Sequence, residues 1–345
     1  MLKTHQPDAG PSKGDGTRVG AVSRRPRIAL LSNPKSTGNI AQLARIRSYC
    51  ADHPDIFHYE VERVDQVGEG LKTIARVRPK MLVINGGDGT VQAALTEMYN
   101  GGHFGDTPPP VAVLPSGKTN LIALDLGAHG DPIASLERLV ALAQHDLTEH
   151  LVARELIALQ TDGTAKPVIG MFLGGAGLAQ TMLYCRNKIY PLGLPNSVSH
   201  VLTILAVLLR IVFRLRADFL PPVAPNLRVS MRSEGQLSGR FAILAVTTLD
   251  KLLLNSEMGT TKRGGLKLLA IEERPWSMLR AAFATILGKL SAVKLRGVHL
   301  QETDEINIEG DQSNVILDGE TFSARVGHPI RLTPAQPLSF VKLAA

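Results

Sequence analysis

Asp88 stands in the run Gly86-Gly87-Asp88-Gly89-Thr90, between an apolar stretch at 81–84 and a helical pattern at 91–99. Glycines accept positive φ and let a ligand approach the backbone closely. Amides at such a turn, and at the helix start behind it, form a ready phosphate site. A carboxylate inside that nest repels phosphate unless a cation lies between them. Asp88 therefore reads as a residue that positions Mg2+ on a nucleotide, directly or through water. Thr90 can cap the helix, contact phosphate, or both. The competing reading is a sharp strand-to-helix turn capped by aspartate, and the residues alone leave the two even.

Other polar segments end apolar runs. Ser32-Asn33-Pro34-Lys35-Ser36-Thr37-Gly38 follows the first, and Pro115-Ser116-Gly117-Lys118-Thr119-Asn120 the third. The Ser-Gly-Lys-Thr portion invites a P-loop reading. A Walker A motif needs glycine where Ala112 stands, inside an apolar strand, and Pro115 removes an amide. Lys118 is left as either a point charge for phosphate or a solvated loop lysine. Gly174-Gly175-Ala176-Gly177 is a packing turn or a neighbour of substrate. Leu317-Asp318-Gly319-Glu320 holds the Asp-Gly pair preferred in hairpins, and on its own reads as a turn. His150, His200, His299 and His328 lack metal-ligand spacing and read as structural or exposed.

An α/β scaffold must position those loops. The short apolar runs 27–31, 81–84 and 111–114 read as buried parallel strands, with a further strand at 57–64. Helices are predicted at about 40–50, 67–77, 91–99 and from about 121. Ligands bind beyond the carboxyl ends of such strands, so the loops starting at Asn33, Asn85 and Pro115 should lie side by side. From about Glu149 strands dominate, at 151–160, 168–173, 227–231, 240–247, 266–271, 305–308, 314–317 and 321–326. That pattern predicts two packed sheets, interrupted by helices near 196–216 and 275–294.

Composition narrows the classes. The 345 residues suit two domains, and 44% hydrophobic with 20% charged residues suits a soluble protein with a large core. Aromatics at 4% argue against stacking platforms for nucleic acid. Cys50 and Cys185 offer neither a disulfide framework nor a metal knuckle, which suits a reducing cytoplasm. The net charge of +7 is spread along the chain, apart from a basic tail at 1–26 that reads as disordered. No secretory leader is apparent in the sequence, and the longest apolar run, 201–209, is far short of the about twenty residues that cross a bilayer. Segments 201–216, with Arg210, Arg214 and Arg216, and 278–296, with Arg280, Lys289, Lys294 and Arg296, read either as helices covering the sandwich or as interfacial helices facing anionic lipid.

In order and spacing, these motifs resemble the diacylglycerol kinase catalytic family, which includes sphingosine and ceramide kinases and bacterial lipid kinases. Residues 86–90 are similar to its Gly-Gly-Asp-Gly-Thr signature and 31–38 to its Asn-Pro-x-Ser-Gly loop. Residues 114–120 are similar to its Pro-x-Gly-Thr-x-Asn-Asp loop and 317–320 to its late Asp-Gly-Glu turn. The resemblance covers roughly residues 27–345. It implies an α/β plus β architecture: an open parallel α/β nucleotide-binding domain at 27–148, a β-sandwich lipid-substrate domain at 149–333, and the active site in the cleft between them. It leaves room for residues 334–345 to return to the first domain. It further implies that Asn33, Gly86, Gly87, Gly89, Thr90, Gly117 and Asn120 hold ATP and that Asp88 organises Mg2+; Lys118 joins the ATP-binding residues on its own charge, as a contact to phosphate. Asp318 would take the proton of a lipid hydroxyl, with Glu320 in support.

Two departures stand out. The family's threonine after the glycine is Lys118 here, and its aspartate after the asparagine is Leu121. Gly264-Gly265 replaces an Asp-Gly that many bacterial members use at a structural metal, so no second Mg2+ is expected. The implied reaction moves the γ-phosphoryl group of ATP to a lipid hydroxyl, with diacylglycerol the leading acceptor and phosphatidic acid the product. The implied setting is cytoplasmic and peripheral to the inner face of a membrane, on an anionic surface, without nucleic acid, and with a homodimer left open. Two alternatives stay open. An NAD kinase shares Gly-Gly-Asp-Gly-Thr, although its Asn-Glu and Leu-Gly-Phe elements are not found here. A catalytically weak lipid- or nucleotide-binding module is kept open by Leu121 and Gly264.

Overall fold

A strand that is apolar on both faces must lie between layers of other elements. That holds for β1 (Ile28–Ser32), β3 (Met81–Gly86) and β4 (Val111–Pro115), whose residues are almost all buried. In the computed structural model, structure is described for residues 28–162, 166–193, 199, 202–203, 206–207, 209–210, 220–232, 234–249, 265–286, 295–310 and 313–343. The three strands and β2 (Ile56–Glu60) pair in parallel in the order β4-β3-β1-β2. On one face, Leu31, Leu82, Ile84 and Val113 pack against α2 (Val67–Val77) and α3 (Asp88–Asn100). On the other, Leu30, Val83 and Leu114 pack against α1 (Asn39–Asp52) and α5 (Pro132–Ala143). The register sets Ser32 beside Asn85 and Gly86 beside Pro115, so the loops leaving the three strands emerge together.

The rest is antiparallel. One layer contains β6 (Val168–Gly170), β5 (Leu151–Gln160), β15 (Ile330–Val341), β12 (Ile306–Gly310) and β8 (Asn226–Met231). The other contains β14 (Glu320–Ala324), β13 (Ser313–Leu317), β7 (Phe172–Gly175), β10 (Leu266–Glu272) and β11 (Val298–Thr303). The long β9 (Gly235–Thr247) serves both. Its first half pairs with β8, and its second half lies between β7 and β10. Ile157, Val229, Ile306 and Leu332 from one layer meet Leu173, Leu244, Leu268 and Leu317 from the other in a shared core. The parallel α/β sheet followed by a β-sandwich is the architecture expected from the sequence. β15 runs from β12, along β5 with a shift of register between Ala335 and Leu338, to Phe340 beside Val111 of β4.

Several boundaries differ from expectation, each for a local reason. The strand expected at 57–64 stops at Glu60, because Arg63 and Gln66 close a capping box around the turn Val64–Gln66. The helix expected from 121 is α4 (Leu121–Asp125), which ends near Gly127 at φ 80°; α5 restarts at Pro132, where Asp131 caps the amide of Ile133. The strand expected at 168–173 is broken at Met171, and the glycine-rich turn at 174–177 leads into α6 (Ala176–Tyr184). β11 was not expected at all. Of the helix expected at 275–294, α7 (Pro275–Ile286) is described, and 287–294 lie outside the described residues. The expected tail and most of 196–216, including Arg214 and Arg216, also lie outside them.

Arg210 does not face lipid. Its guanidinium is buried, donating to Glu273 Oε1 and to the carbonyl of Pro222 at 2.5 Å each. A buried cation is retained only where an anion and further acceptors replace water. Among the described residues no helix is long and apolar enough to cross a membrane.

Candidate active site

Beneath the three clustered loops lies a buried polar network. The Asn39 amide donates to the carbonyls of Asn33 and Asn85 at 2.8 and 3.0 Å. The Asn85 amide donates to Ser32 Oγ at 3.0 Å, and Ser116 Oγ donates to Asn85 Oδ1 at 2.5 Å. Ser36 Oγ donates to the carbonyl of Ser116 at 2.7 Å. The loops are thereby fixed relative to one another before any ligand arrives. The fit is close: a Cβ at Gly38 would lie 2.6 Å from the Ser116 carbonyl oxygen.

Asp88 opens α3, three residues earlier than the sequence pattern suggested, with Gly87 as the extended residue before it. Above the helix start, Gly117 lies so near that a Cβ there would approach Gly87 Cα to 2.9 Å. Asn33 Nδ2 donates to Thr90 Oγ1 at 2.9 Å, and Asn33 Oδ1 accepts the Lys35 amide at 2.9 Å. Asn120 closes its own loop, accepting from the Gly117 amide at 2.6 Å and donating back to its carbonyl at 3.0 Å. Its φ of 55° is one that asparagine tolerates. Lys118 is exposed, and its ammonium sits 3.9 Å from the ring centroid of Tyr190, just beyond α6. Neither sequence alternative for Lys118 described this cross-domain contact.

Asp318 and Gly319 form the two-residue tip joining β13 to β14, with φ of 43° and 96°, the left-handed pair that tight hairpins need. Yet the side chain is buried. Its carboxylate accepts the Met171 amide at Oδ2 (2.7 Å) and the Phe172 amide at Oδ1 (3.0 Å), while its own amide donates to the Phe172 carbonyl. These bonds occupy the gap between β6 and β7 and explain the break at Met171. A Cβ at Gly170 would lie 2.5 Å from Oδ2, so that position excludes a side chain.

The hairpin tip rests on the start of α3. A Cβ at Gly89 would lie 3.2 Å from Glu320 Oε1, and one at Gly319 would lie 3.8 Å from the Gly89 nitrogen. Further along α3, Gln92 Nε2 donates to the Leu317 carbonyl, Thr96 Oγ1 accepts the Ile169 amide, and Asn100 donates to the Pro167 carbonyl. This one helix therefore brings the half-buried Asp88 and the buried Asp318 to face each other. Burial pushes Asp318 up to about 8; the Met171 and Phe172 amides oppose the shift and the Asp88 charge adds to it. Burial pushes Asp88 up to about 6, opposed by the Asn120 amide. Groups tuned to this range can exchange protons near neutrality.

The structure thus gathers Asn33, Gly86, Gly87, Asp88, Gly89, Thr90, Gly117, Lys118 and Asn120 in one cluster of loops at the start of α3, with Asp318 and Glu320 of the hairpin tip packed against it. Sequence reasoning missed Ser36, Asn39, Asn85 and Ser116, which fasten the loops. It also missed Gly170, Tyr190 and the two amides that hold Asp318. Ser116 and Asn85 were legible as polar residues ending apolar strands; the others depend on partners distant in sequence. The donor set suits Mg2+, which binds through one or two carboxylate oxygens together with substrate phosphates and water. A cation bound at Asp88 would favour the ionised form that burial opposes.

Residues 27–150 match the family model described as the diacylglycerol kinase catalytic domain. Two crystal structures described as candidate diacylglycerol kinases from Bacillus anthracis strain Sterne resemble this chain with TM-scores of 0.62 and 0.61 at 15% identity. They cover 92% and 91% of this chain and 96% of their own. A third, of a diacylglycerol kinase from the same strain, gives a TM-score of 0.55 at 12% identity, over 92% of this chain and 96% of that one. At such identities the likeness is one of fold. No curated protein sequence matches the chain.

Proposed function

From the premise that this chain is a kinase carrying a diacylglycerol kinase catalytic domain at residues 27–150, we propose that it transfers the γ-phosphoryl group of ATP to a membrane-lipid hydroxyl, diacylglycerol foremost. The observation that carries the reading is Asp318: a buried carboxylate on the second domain, tuned by its surroundings towards neutral pH, facing the glycine-rich turn of the first.

The nucleotide phosphates lie on the loops from Asn33, Gly86–Gly89 and Gly117, where closely packed glycine backbone excludes side chains, with Thr90 and Asn120 shaping the edges. Asp88 would hold Mg2+, which when bound would supply positive charge to offset that on the transferred phosphoryl group. Asp318 orients the lipid hydroxyl and accepts its proton, and Glu320 supports it from the rim. A primary hydroxyl is a weak nucleophile at neutral pH, so a positioned base is what this second domain adds. Lys118 supplies positive charge beside the Gly117 loop, and its ring contact limits where that charge can go. Acceptors in this class lie in a bilayer, so the proposed reaction takes place at a membrane surface.

Labelled ATP incubated with diacylglycerol, sphingosine, ceramide and NAD, with products separated by thin-layer chromatography, tests the assignment. Radiolabelled phosphatidic acid is expected, and label on NAD alone would remove the lipid reading. Asp88→Asn should lower turnover on the order of a thousandfold with an unchanged melting temperature. A variant with wild-type turnover would remove Asp88 from the mechanism.

A further inference from the structure

α7 carries its large apolar residues on the wrong side for a covering helix. Trp276, Leu279 and Phe283, spaced along one face, are 70%, 60% and 64% exposed. The opposite face turns Ala281 and Ala284 onto Ala245, Leu269 and Ile271 of β9 and β10. Small residues pack inward and large ones face water, the reverse of an ordinary amphipathic helix. A contiguous exposed ridge of this kind marks a contact surface.

Charge identifies what it contacts. α7 contains no acidic residue, Arg280 lies exposed within the ridge, and Arg274 and Arg296 are both exposed beside its first turn, where Gly297 abuts Ser277. Arg274 is paired with Glu272 at 3.1 Å, which tempers the rim at that end. An apolar ridge with cations beside it suits the interface of an anionic bilayer, where Trp and Phe bury in the headgroup region and Arg meets phosphate. A second copy of the chain fits less well, because two-fold pairing through this ridge would bring Arg280 near its own mate. The location is also apt. The apolar cluster under α7 continues through Met278 and Ile243 to Leu178 and Phe172, and the Phe172 amide holds Asp318.

We infer that the Trp276–Leu279–Phe283 ridge of α7 seats the protein on an anionic bilayer, on the side from which lipid reaches Asp318. This rests on the lipid-kinase reading only for the identity of the acceptor; the docking itself can be measured without turnover.

Trp276 is the only tryptophan in the chain, so its emission reports the ridge alone. With vesicles of phosphatidylcholine and phosphatidylglycerol, the emission should move to the blue and be quenched by brominated lipid. Salt, or omission of phosphatidylglycerol, should weaken both effects. The double variant Leu279→Gln/Phe283→Gln keeps the reporter, and should lower vesicle partition by about tenfold or more while the melting temperature holds. Its turnover on a short-chain diacylglycerol dissolved in water should equal wild type. Unchanged vesicle binding by the double variant overturns the inference. So does a blue shift that appears on concentrating the protein without vesicles, together with a dimer in sedimentation equilibrium, since a second copy then covers the ridge. If vesicle binding behaves as expected but no diacylglycerol is phosphorylated in any form, the docking stands and the substrate assignment falls.

Discussion

Backbone and side chain of Asp318 do separate things. The backbone makes a hairpin tip that Asn would make equally well, whereas the carboxylate is turned inward onto two amides. Asp318→Asn should therefore keep nucleotide affinity while lowering turnover about 10²-fold or more, and its melting temperature should fall somewhat, because the new NH2 group meets one of the two backbone N–H donors. Because its pKa is pushed up to about 8, the basic form gains population as pH rises. Turnover of the wild type should climb through that value and level off above it, and Asp318→Asn should lack the climb. Stability runs the other way. A carboxylate whose folded pKa is raised stabilises fully below its ordinary value, and that contribution is lost as pH rises through about 8. Lys118 and Tyr190 form the other testable pair. Releasing the ammonium with Tyr190→Leu should weaken MgATP binding by roughly twofold to fivefold, the scale of an exposed cation–π contact, and Tyr190→Phe should not; calorimetric titration distinguishes them. The sequence shows Asp318 and Lys118 as residues in loops. It does not show Met171, Phe172 or Tyr190 as their partners, because those contacts come from strand pairing and domain packing.

Elements were legible where burial is two-sided or periodic. β1, β3 and β4 announce themselves as apolar runs, and α2 by its spaced Val67, Leu71 and Ile74. β11 did not, because among the described residues Val298–Thr303 pairs with β10 alone and stays largely half-exposed, so its apolar face is just Val298 and Leu300 and is too short to stand out. The early half of β9 was hidden likewise, its Gly-Gln-Leu-Ser-Gly start reading as loop. Segment 201–216 shows how an element's charge can mislead: Arg210 serves the fold, tying its segment to Glu273 just before α7. Glu273→Gln should leave that cation buried without its counter-charge and destabilise by about 3–5 kcal/mol. Urea unfolding should reveal this as a lower midpoint, with vesicle binding of the folded fraction unchanged.

On the scale of the whole molecule, the matched segment 27–150 and the folding unit are different objects. The core around α2 and α3 also contains Leu156, Ile169, Met171, Leu338 and Phe340, all supplied from beyond residue 150. Excised as 27–150, the segment should lose on the order of 5 kcal/mol or more from those apolar side chains, and unfold in urea with a lower midpoint and a shallower slope than the full chain. The motif order conveys which loops meet. It does not convey that β15 closes the parallel sheet, because that pairing joins Val111 to Phe340. On a ribosome this separation becomes a delay. At about 5–20 residues per second, β4 waits roughly ten to forty seconds for the strand that covers its edge. Throughout that interval a nascent chain displays an apolar strand with unpaired amides and carbonyls, the kind of surface on which neighbouring chains aggregate. The parallel sheet that carries the candidate site is thus completed only once β15 has emerged, and the half-made protein is a natural client for chaperones.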